Sequence, residues 1–332
     1  MKESAGAASL TPPLHHHHHH QHRLRKKLAT TFAKPTAYIF LLLVSYIFGY
    51  LSASSSSSNS NIINHHNYPP PPRSSINTTN RAITNQVSAT AEDHNLFGTV
   101  CAAKAVPPKL VRRTILDRVF NGTSPYDNFP PPHISHVLRP NKISGWGSTG
   151  AVFEHLIRKV KPKTIIEVGT FLGASALHMV KLTRQLGLPD TQILCVDDFR
   201  GWPGFQDRFK DIKTVNGDVM LMYQFMQNVV QAGATETVMM VPFSTEAALE
   251  KLCTWGIYGD LIEVDAAHDF HSAWSDINRA YKILNPGGVL FGHDYFSAVD
   301  NRGVRRAVNL FARLHHFRVQ VHGQHWLLYP IK

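Results

Sequence analysis

Cysteine is scarce in this chain, and its scarcity limits how the fold can be held together. The 332 residues include three cysteines, Cys101, Cys195 and Cys253, too few and too odd in number for a disulfide framework. Cys195 and Cys253 stand in apolar sequence, which favours buried thiols. We therefore expect a hydrophobic core to hold the fold, and a hydrophobic content of 43% is sufficient for one.

An excess of charge is also missing from the part of the chain that should fold. The formal net charge is +11, but residues 141–332 contain twenty Lys or Arg against eighteen acids. The excess lies before them, with six against one in residues 1–53 and eight against four in residues 54–140. A nucleic-acid-binding domain needs a basic face on its folded part. The near-neutral region argues against a nucleic-acid partner.

Residues 36–53 carry no charge at all and are mostly apolar. At about 1.5 Å rise per residue, this segment makes a short but sufficient membrane span. Basic residues precede it and none follows until Arg73, so the positive-inside bias predicts a type II anchor with a cytosolic amino terminus. A cleaved signal peptide and an organelle transit sequence are the alternatives, although the preceding 35 residues are long for a signal peptide.

The segments on either side of the predicted span have low complexity. Residues 1–35 form a basic tail whose run His15–His20 is a purification tag, a metal site or part of the low-complexity text. Residues 54–94 are rich in Ser, Asn and Pro, cannot bury a core, and predict a disordered stem. Asn77 and Asn121 begin glycosylation sequons. A short span with a stem suggests a Golgi address for a luminal domain.

Strand-forming and helix-forming segments alternate from residue 145 onward, after a proline-punctuated lead-in at 95–144 that contains one predicted helix near 108–120. Strands are predicted at 164–168, 192–197, 237–242, 260–265 and 289–292, followed by a hairpin of 317–321 and 326–331. Helices are predicted at about 150–160, 173–187, 217–232 and 301–315, with two more beginning near Ser244 and Phe270. This pattern predicts an α/β domain over 145–332, a doubly wound, seven-stranded, mostly parallel sheet with an antiparallel C-terminal hairpin.

One segment within this region carries most of the functional information. Residues 164–175 read T-I-I-E-V-G-T-F-L-G-A-S, an apolar strand that ends in Glu167 and two glycines, Gly169 and Gly173, that open a helix. Such a turn offers backbone N–H groups to a nucleotide-like ligand. The dinucleotide fingerprint G-x-G-x-x-G is absent, because Glu167 stands at its first glycine. This absence and the terminal hairpin argue against a nicotinamide-dependent oxidoreductase.

Residues 167–175 resemble the first motif of class I S-adenosylmethionine-dependent methyltransferases, and a terminal hairpin is a hallmark of that superfamily. Three further stretches are similar to small-molecule O-methyltransferases grouped with macrolide-sugar methyltransferases and cephalosporin-hydroxylase-like proteins. They read D-D-F-R-G-W-P-G-F from Asp197, I-E-V-D-A-A-H from Ile262 and L-N-P-G-G-V-L-F-G-H-D-Y from Leu284. The resemblance covers about 145–332 and implies S-adenosylmethionine as cofactor.

The resemblance also implies where the cofactor binds. Glu167 would orient the cofactor ammonium, Asp197 would accept hydrogen bonds from the ribose hydroxyls, and Phe243 with Ser244 would meet the adenine. The structural alternatives are that Phe243 packs in the core and that Ser244 only caps a helix. The full predicted set is Glu167, Gly169, Thr170, Gly173, Ser175, Asp197, Phe243, Ser244 and Asp265.

Candidate catalytic residues follow the later strands. Asp265 and Asp294 end adjacent predicted strands, and two carboxylates there suit Mg²⁺. His293 stands where metal-dependent relatives have a carboxylate, so a metal held by Asp265, His293 and Asp294 would be softer, or absent. His268 is the candidate general base, with helix capping as its alternative.

Two tryptophans, Trp146 and Trp202, either line the acceptor-binding site or pack in the core. The sequence thus predicts a membrane-anchored, luminal methyltransferase that acts on a hydroxyl of a small molecule or sugar. A catalytically silent relative that serves as a binding or assembly module of the secretory pathway is the alternative.

Overall fold

The structure is a computed structural model that describes residues 101–331. The predicted basic tail (1–35), span (36–53) and stem (54–94), with the Asn77 sequon, lie outside the described residues. Within 101–331, none of the helices combines the length and the apolar character needed to cross a bilayer.

A seven-stranded sheet organises the described chain. The strands of residues 101–331 are β1 (Thr164–Val168), β2 (Gln192–Val196), β3 (Thr214–Val215), β4 (Asp218–Val219), β5 (Val238–Val241), β6 (Gly259–Val264), β7 (Leu284–Gly292), β8 (Phe317–His322) and β9 (His325–Pro330). The main sheet has the order β5-β2-β1-β6-β7-β9-β8, and β3 pairs with β4 in a separate small hairpin. The first five strands of the main sheet are parallel, whereas β9 runs antiparallel to β7 and to β8. The predicted seven-stranded, mostly parallel sheet with a C-terminal hairpin is confirmed.

Helices connect the parallel strands. The α-helices of the described chain are α1 (Pro108–Val119), α2 (Pro132–Ser135), α3 (Ala151–Val160), α4 (Ala174–Gln185), α5 (Phe205–Arg208), α6 (Leu221–Gln231), α7 (Thr245–Thr254), α8 (Phe270–Lys282) and α9 (Gly303–Leu314), with a 3₁₀ turn at Val299–Asn301. Their apolar residues recur at helical spacing; α9, for example, buries Val304, Ala307, Val308 and Phe311. The α8 helix begins at an N-cap, where the Asp269 side chain accepts a hydrogen bond from the Ser272 N–H at 3.0 Å.

The helices cover both faces of the main sheet. Phe153 of α3 packs edge-to-face on Phe291 of β7, with ring centroids 5.7 Å apart. Val264 of β6 is level with Gly292, the residue after Phe291, so it points to the opposite face. There it lines a small cavity together with Ile277 of α8. The core therefore has two layers, one on each side of a double-wound sheet.

The strand that ends at the functional edge is longer than predicted. The segment Asn285-Pro-Gly-Gly was expected to separate a helix from a strand starting at 289, but β7 begins at Leu284. A register shift lies between Gly259 and Leu261 of the neighbouring β6, and the Asn285 side chain donates to Asp260 Oδ1 at 2.8 Å. Residues 285–288 therefore form a bulge in β7 between the paired residues Leu284 and Val289.

The amino-terminal part of the described chain contributes to the same core. Pro108 occupies the first turn of α1, where a missing N–H costs nothing, and Val111 and Ile115 are buried among the main core residues. Cys101 forms a disulfide with Cys253, 152 residues later in α7. The prediction of a packed thiol was therefore wrong for Cys253, because its partner is distant in sequence, whereas Cys195 is free and buried.

Replacing both Cys101 and Cys253 by Ser is expected to lower the free energy of unfolding by about 2–4 kcal/mol, because the bond closes a very long loop in the unfolded chain. Pulse proteolysis of the full-length protein in urea would measure this loss. Cys195→Ala is the matched control, since it keeps the disulfide and should remain sensitive to reductant. More than one reactive thiol in denatured, unreduced wild-type protein would contradict the pairing.

Candidate active site

A crevice forms where the chain changes direction within the sheet. From β1 the chain moves outward through β2 and β5, then returns to β6 on the other side of β1, and such a switch point is where open α/β sheets bind ligands. The Asp265 N–H donates to the Val168 carbonyl at 2.8 Å. Gly169, with φ of +90°, comes so close that a Cβ would lie 2.0 Å from the Asp265 carbonyl oxygen. Only glycine fits this position.

Glu167 anchors the loop between β1 and α4 to β1. This loop, residues 169–173, is called the glycine loop below. Its side chain is fully buried and accepts short hydrogen bonds from the hydroxyls of Thr170 and Ser175. Burial raises the pKa of Glu167 to about 7, although these hydrogen bonds oppose the shift. Thr170 and Ser175, two predicted cofactor residues, therefore direct their hydroxyls at Glu167 and brace the loop.

Asp197, directly after β2, binds the same loop. Its Oδ2 accepts the N–H groups of Thr170 at 3.1 Å and Phe171 at 2.8 Å, and its Oδ1 accepts that of Phe199 at 2.7 Å. Burial raises the pKa of Asp197, against the effect of these hydrogen bonds. A carboxylate offers roughly four lone-pair sites, so about one is left for a ribose hydroxyl.

The residues that follow β5 stand at the same edge. The Phe243 side chain is 39% exposed, which excludes the core alternative for this residue. Ser244 occupies the N-cap position of α7, but its side chain makes no capping hydrogen bond. Both side chains are thus available at the side of the crevice where the resemblance places adenine.

On the other side of the crevice, two carboxylates and an imidazole converge. Asp265, His268 and Asp294 each offer one ligand atom, and the three atoms lie within 4.8 Å of one another. His268 Nε2 lies 2.9 Å from Asp294 Oδ2. Since Asp269 caps α8, the capping alternative for His268 is not what the structure has.

These groups perturb one another electrostatically. Burial raises the pKa of Asp265 to about 6. The hydrogen bond to Asp294 raises the pKa of His268 despite partial burial. Burial opposes the ionisation of Asp294, but attraction to His268 and His293 outweighs it and holds the Asp294 pKa well below its usual range. Asp294 is therefore the carboxyl group of this cluster that stays ionised to the lower pH.

His293 stands apart from the three residues that can converge on an ion. Its side chain is 7% exposed, and Nδ1 lies 3.3 Å from Asp294 Oδ2 and 3.9 Å from Asp265 Oδ1. Nδ1 has no hydrogen-bond partner among residues 101–331. A Cβ at Gly147 would lie 2.4 Å from His293 Nε2. The predicted metal ligands are Asp265, His293 and Asp294. In the structure, the histidine that converges with the two aspartates is His268.

Trp146 and Trp202 belong to an aromatic cluster at the mouth of the crevice. They are 43% and 44% exposed, and both contact Phe171 of the glycine loop, with ring centroids 5.5 and 5.8 Å away. The Arg208 guanidinium lies 4.8 Å from the centre of the Trp146 ring. The core alternative for the tryptophans is wrong, and Phe171 and Arg208 were missed because their partners are remote in sequence.

An open cleft of about 850 Å³ extends from His293 along the sheet edge. One wall is the segment 143–152, and the other is the turn between β8 and β9 at 322–325. The sequence pattern predicts a domain boundary at the first segment and a hairpin turn at the second. The glycines and hydroxyls of G-W-G-S-T-G at 145–150 were the available signal for a binding segment.

Comparison with known proteins agrees with this geometry. Residues 166–295 match a family described as "Methyltransferase domain", a range that contains both the glycine loop and the Asp265–His268–Asp294 group. No curated protein sequence matches the chain.

Several solved structures are similar to the chain. Cofactor-bound Rv0187 from MTB is 16% identical over 69% of this chain and 100% of its own, with a TM-score of 0.42. An O-methyltransferase from Bacillus cereus in complex with SAH is 16% identical over 65% and 95%, with a TM-score of 0.41. The O-methyltransferase TomG from Streptomyces achromogenes, in complex with SAM, is 15% identical over 69% and 93%, with a TM-score of 0.41.

These similarities are distant, so the classification depends on the family match together with the strand order and the glycine loop. Residues 166–295 match a methyltransferase domain family, and the order and directions of the strands agree with the class I methyltransferase fold. The resemblance predicted from the sequence is confirmed.

Proposed function

We propose that this protein transfers a methyl group from S-adenosylmethionine to a hydroxyl of a small molecule or sugar. The observation that carries the proposal is the meeting, at one sheet edge and within the matched residues 166–295, of the glycine loop with the Asp265–His268–Asp294 group. One half of this edge suits a cofactor, and the other half suits the handling of a proton or a cation.

The residues at the first half fit S-adenosylmethionine. Gly169 lets the loop pack directly against the Asp265 backbone, Asp197 keeps about one acceptor site free, and Phe243 presents an exposed ring. In this arrangement Glu167, Thr170 and Ser175 hold the loop in shape. Asp197 and Phe243 are the residues that contact the cofactor directly.

The chemistry explains why a base or cation is needed beside this cofactor. S-adenosylmethionine supplies an electrophilic methyl group on a sulfonium sulfur. As the acceptor oxygen bonds to the methyl carbon, the C–S bond breaks, its electron pair stays on sulfur, and the hydroxyl proton must leave. Alignment of the two reactants supplies much of the rate, but an unassisted hydroxyl is a poor nucleophile.

His268 and Asp294 form a pair that can take this proton. Asp294 accepts from Nε2 of His268, which leaves Nδ1 as the basic nitrogen of the neutral ring. Asp294 thereby fixes the tautomer and stabilises the imidazolium that forms. Asp265, half-buried beside them, favours the same positive charge when it is ionised.

The same residues also fit a divalent ion. Two carboxylate oxygens suit Mg²⁺ or Mn²⁺, whereas an imidazole ligand favours a softer metal such as Zn²⁺. A bound ion would stabilise the deprotonated acceptor oxygen. His268 cannot be a metal ligand and the free base at the same time. Removing any divalent ion with a chelator and measuring the remaining activity therefore distinguishes the two roles.

Asp197→Ala is expected to weaken binding of S-adenosylmethionine by about 10- to 100-fold, the scale of a lost charge-assisted hydrogen bond. Calorimetry on the purified full-length protein measures the affinity. Asp198→Ala, an exposed neighbour whose side chain bonds only to the Arg200 N–H in this part of the chain, should bind like wild type. Absence of binding to wild-type protein would overturn the proposed function, and equal affinities of both variants would overturn the Asp197 assignment.

His268→Gln is expected to lower kcat by about 100-fold or more with little change in cofactor affinity, because a positioned base contributes 10²–10⁴. In wild type, kcat should rise with pH through a value above the ordinary imidazole pKa, because the base must lose its proton, and this limb should vanish in the variant. His271→Gln, exposed one turn later, is the control. Activity that disappears on chelation and returns with a divalent ion would assign His268 as a ligand.

The location is part of the proposal. A disulfide between Cys101 and Cys253 suits an oxidising compartment, and Asn121 is exposed in the turn after α1, where its sequon is accessible. Both observations support a luminal catalytic domain carried by a single-pass type II anchor at 36–53, with a Golgi address.

Full-length protein expressed in eukaryotic cells should carry N-glycans that an endoglycosidase removes, and Asn121→Gln should reduce the glycan mass. Asn141→Gln, an exposed asparagine outside any sequon, is the control. A protein without glycans, digested by protease added to intact microsomes, would contradict the luminal location.

A further inference from the structure

The 850 Å³ cleft beside His293 has an unusual chemical character for its size. Among the described residues that line it, none is Asp, Glu, Lys or Arg. Its polar groups are hydroxyls, an amide and imidazoles. Two of these imidazoles, those of His293 and His325, are buried and pack against each other with ring centroids 4.6 Å apart.

Several of these polar groups have no partner within the described chain. The side chains of Ser144, Ser148, Thr149 and Gln324 make no hydrogen bond there, although all four line the cleft. They lie on two facing walls, three on the segment before α3 and one on the β8–β9 turn. Free donors and acceptors on facing walls suit a ligand that hydrogen-bonds on both of its edges.

The floor of the cleft supplies a second observation. His293 is more than nine-tenths buried and lines the cleft. Its Nδ1 faces the carboxylates of Asp294 and Asp265, whereas its Nε2 lies on the side of Gly147, another residue of the cleft. A ligand in the cleft would therefore meet the Nε2 side of the ring, and the imidazole would link that ligand to the two carboxylates.

The position of the cleft separates it from the cofactor side. It lies over the ends of β7 and β9, and of the residues 167–175 it touches only Ala174. His293 connects it to Asp294 and Asp265, at 3.3 and 3.9 Å. A molecule in the cleft would therefore present its inner end to the group that we propose handles the acceptor proton.

We infer that this cleft binds the acceptor, and that the acceptor is an uncharged sugar or short neutral glycan. The inference rests on the proposed methyl transfer and specifies its substrate. A sugar ring carries hydroxyls on its edges and apolar C–H groups on its faces. The cleft matches it with free polar groups at 144, 148, 149 and 324 and with the apolar side chains of Ile143 and Val152.

The lining also discriminates against other acceptors. An anionic sugar acid finds no Lys or Arg there, and the Asp294 carboxylate lies just beyond the floor. A flat phenol would leave the hydroxyls of both walls without partners, which costs affinity. The aromatic cluster around Trp146, with Arg208 on its ring, is the place where a planar or anionic acceptor would go instead.

The test measures methyl transfer by the full-length protein from labelled S-adenosylmethionine to four acceptor classes. These are neutral methyl glycosides with their short oligomers, a uronic-acid glycoside, an amino-sugar glycoside and catechol. Binding of the same acceptors is measured by ligand-observed NMR with S-adenosylhomocysteine present. Neutral glycosides should be bound and methylated at least about 10-fold more efficiently than the others, the scale of one unmatched buried polar group.

Variants of the cleft walls locate the site. Thr149→Trp should fill the cleft and lower kcat/KM for the glycoside on the order of 100-fold by misplacing it. Gln324→Ala should raise KM about 3- to 10-fold, the cost of one neutral hydrogen bond. Gln185→Ala, an exposed glutamine near the end of α4, is the control. Cofactor affinity should be unchanged in all three variants, which also shows that they fold.

Each result has a distinct meaning. If the protein binds S-adenosylmethionine but methylates only catechol or the charged glycosides, or none of the acceptors, the sugar inference is wrong and the cofactor assignment stands. If glycosides are methylated but Thr149→Trp and Gln324→Ala behave like Gln185→Ala, the cleft is not the acceptor site. If S-adenosylmethionine does not bind at all, the proposed function fails as well.

Discussion

The hydrogen bond from the Asp265 N–H to the Val168 carbonyl, 2.8 Å long, is the constraint on which the site depends. It joins the ends of β1 and β6 at the switch point and holds Gly169 against the Asp265 backbone. The glycine loop begins on one side of this contact, and Asp265, followed by His268, begins on the other. A side chain at position 169 would force the two ends apart, so the two halves of the site could no longer meet.

The loop is held by buried acids, and this arrangement has a cost that its hydrogen bonds offset. Glu167 is level with Cys195 on β2 and with Glu263 on β6, and all three side chains are buried. Burial, and then repulsion from Glu167, raise the pKa of Glu263, whose Oε2 has no hydrogen-bond partner among residues 101–331. Two carboxyls on neighbouring strands favour a state in which at least one is protonated. Glu167 has the hydroxyls of Thr170 and Ser175 to stabilise its charge, and it therefore becomes the loop anchor.

Local sequence determined the features that sequence analysis predicted well. An apolar β-branched strand followed by two glycines specifies the turn from β1 into α4, and the terminal hairpin needs only two strands around Gly323. One local signal was missed. Asn216-Gly217, with φ of +52° and +85°, is the dipeptide that a tight hairpin between β3 and β4 requires.

Other features depend on contacts that no local pattern encodes. The Cys101–Cys253 bond joins residues 152 positions apart. His268 and His293 both lie beside the Asp294 carboxylate, with His268 Nε2 at 2.9 Å and His293 Nδ1 at 3.3 Å from Oδ2. Asp294 adopts a left-handed backbone with φ of 60°, which aspartate tolerates. His293 also packs against Gly147, more than 140 residues earlier in the chain, and no local pattern predicts that contact.

The C-terminal hairpin lines the cleft in which we propose that the acceptor binds. Its strand β9 pairs with β7, and the Trp326 side chain donates to the His293 carbonyl at 3.0 Å, which secures the residue at the floor of the cleft. Because β9 runs antiparallel, its turn with β8 returns to the same edge as the carboxyl ends of the parallel strands. The turn at 322–325 therefore forms one wall of the cleft that we propose binds the acceptor. The opposite wall, the segment 143–152, contains Trp146, whose ring lies 5.5 Å from that of Phe171 in the glycine loop. The proposed acceptor and cofactor sites are thus connected through this wall as well as through Asp265.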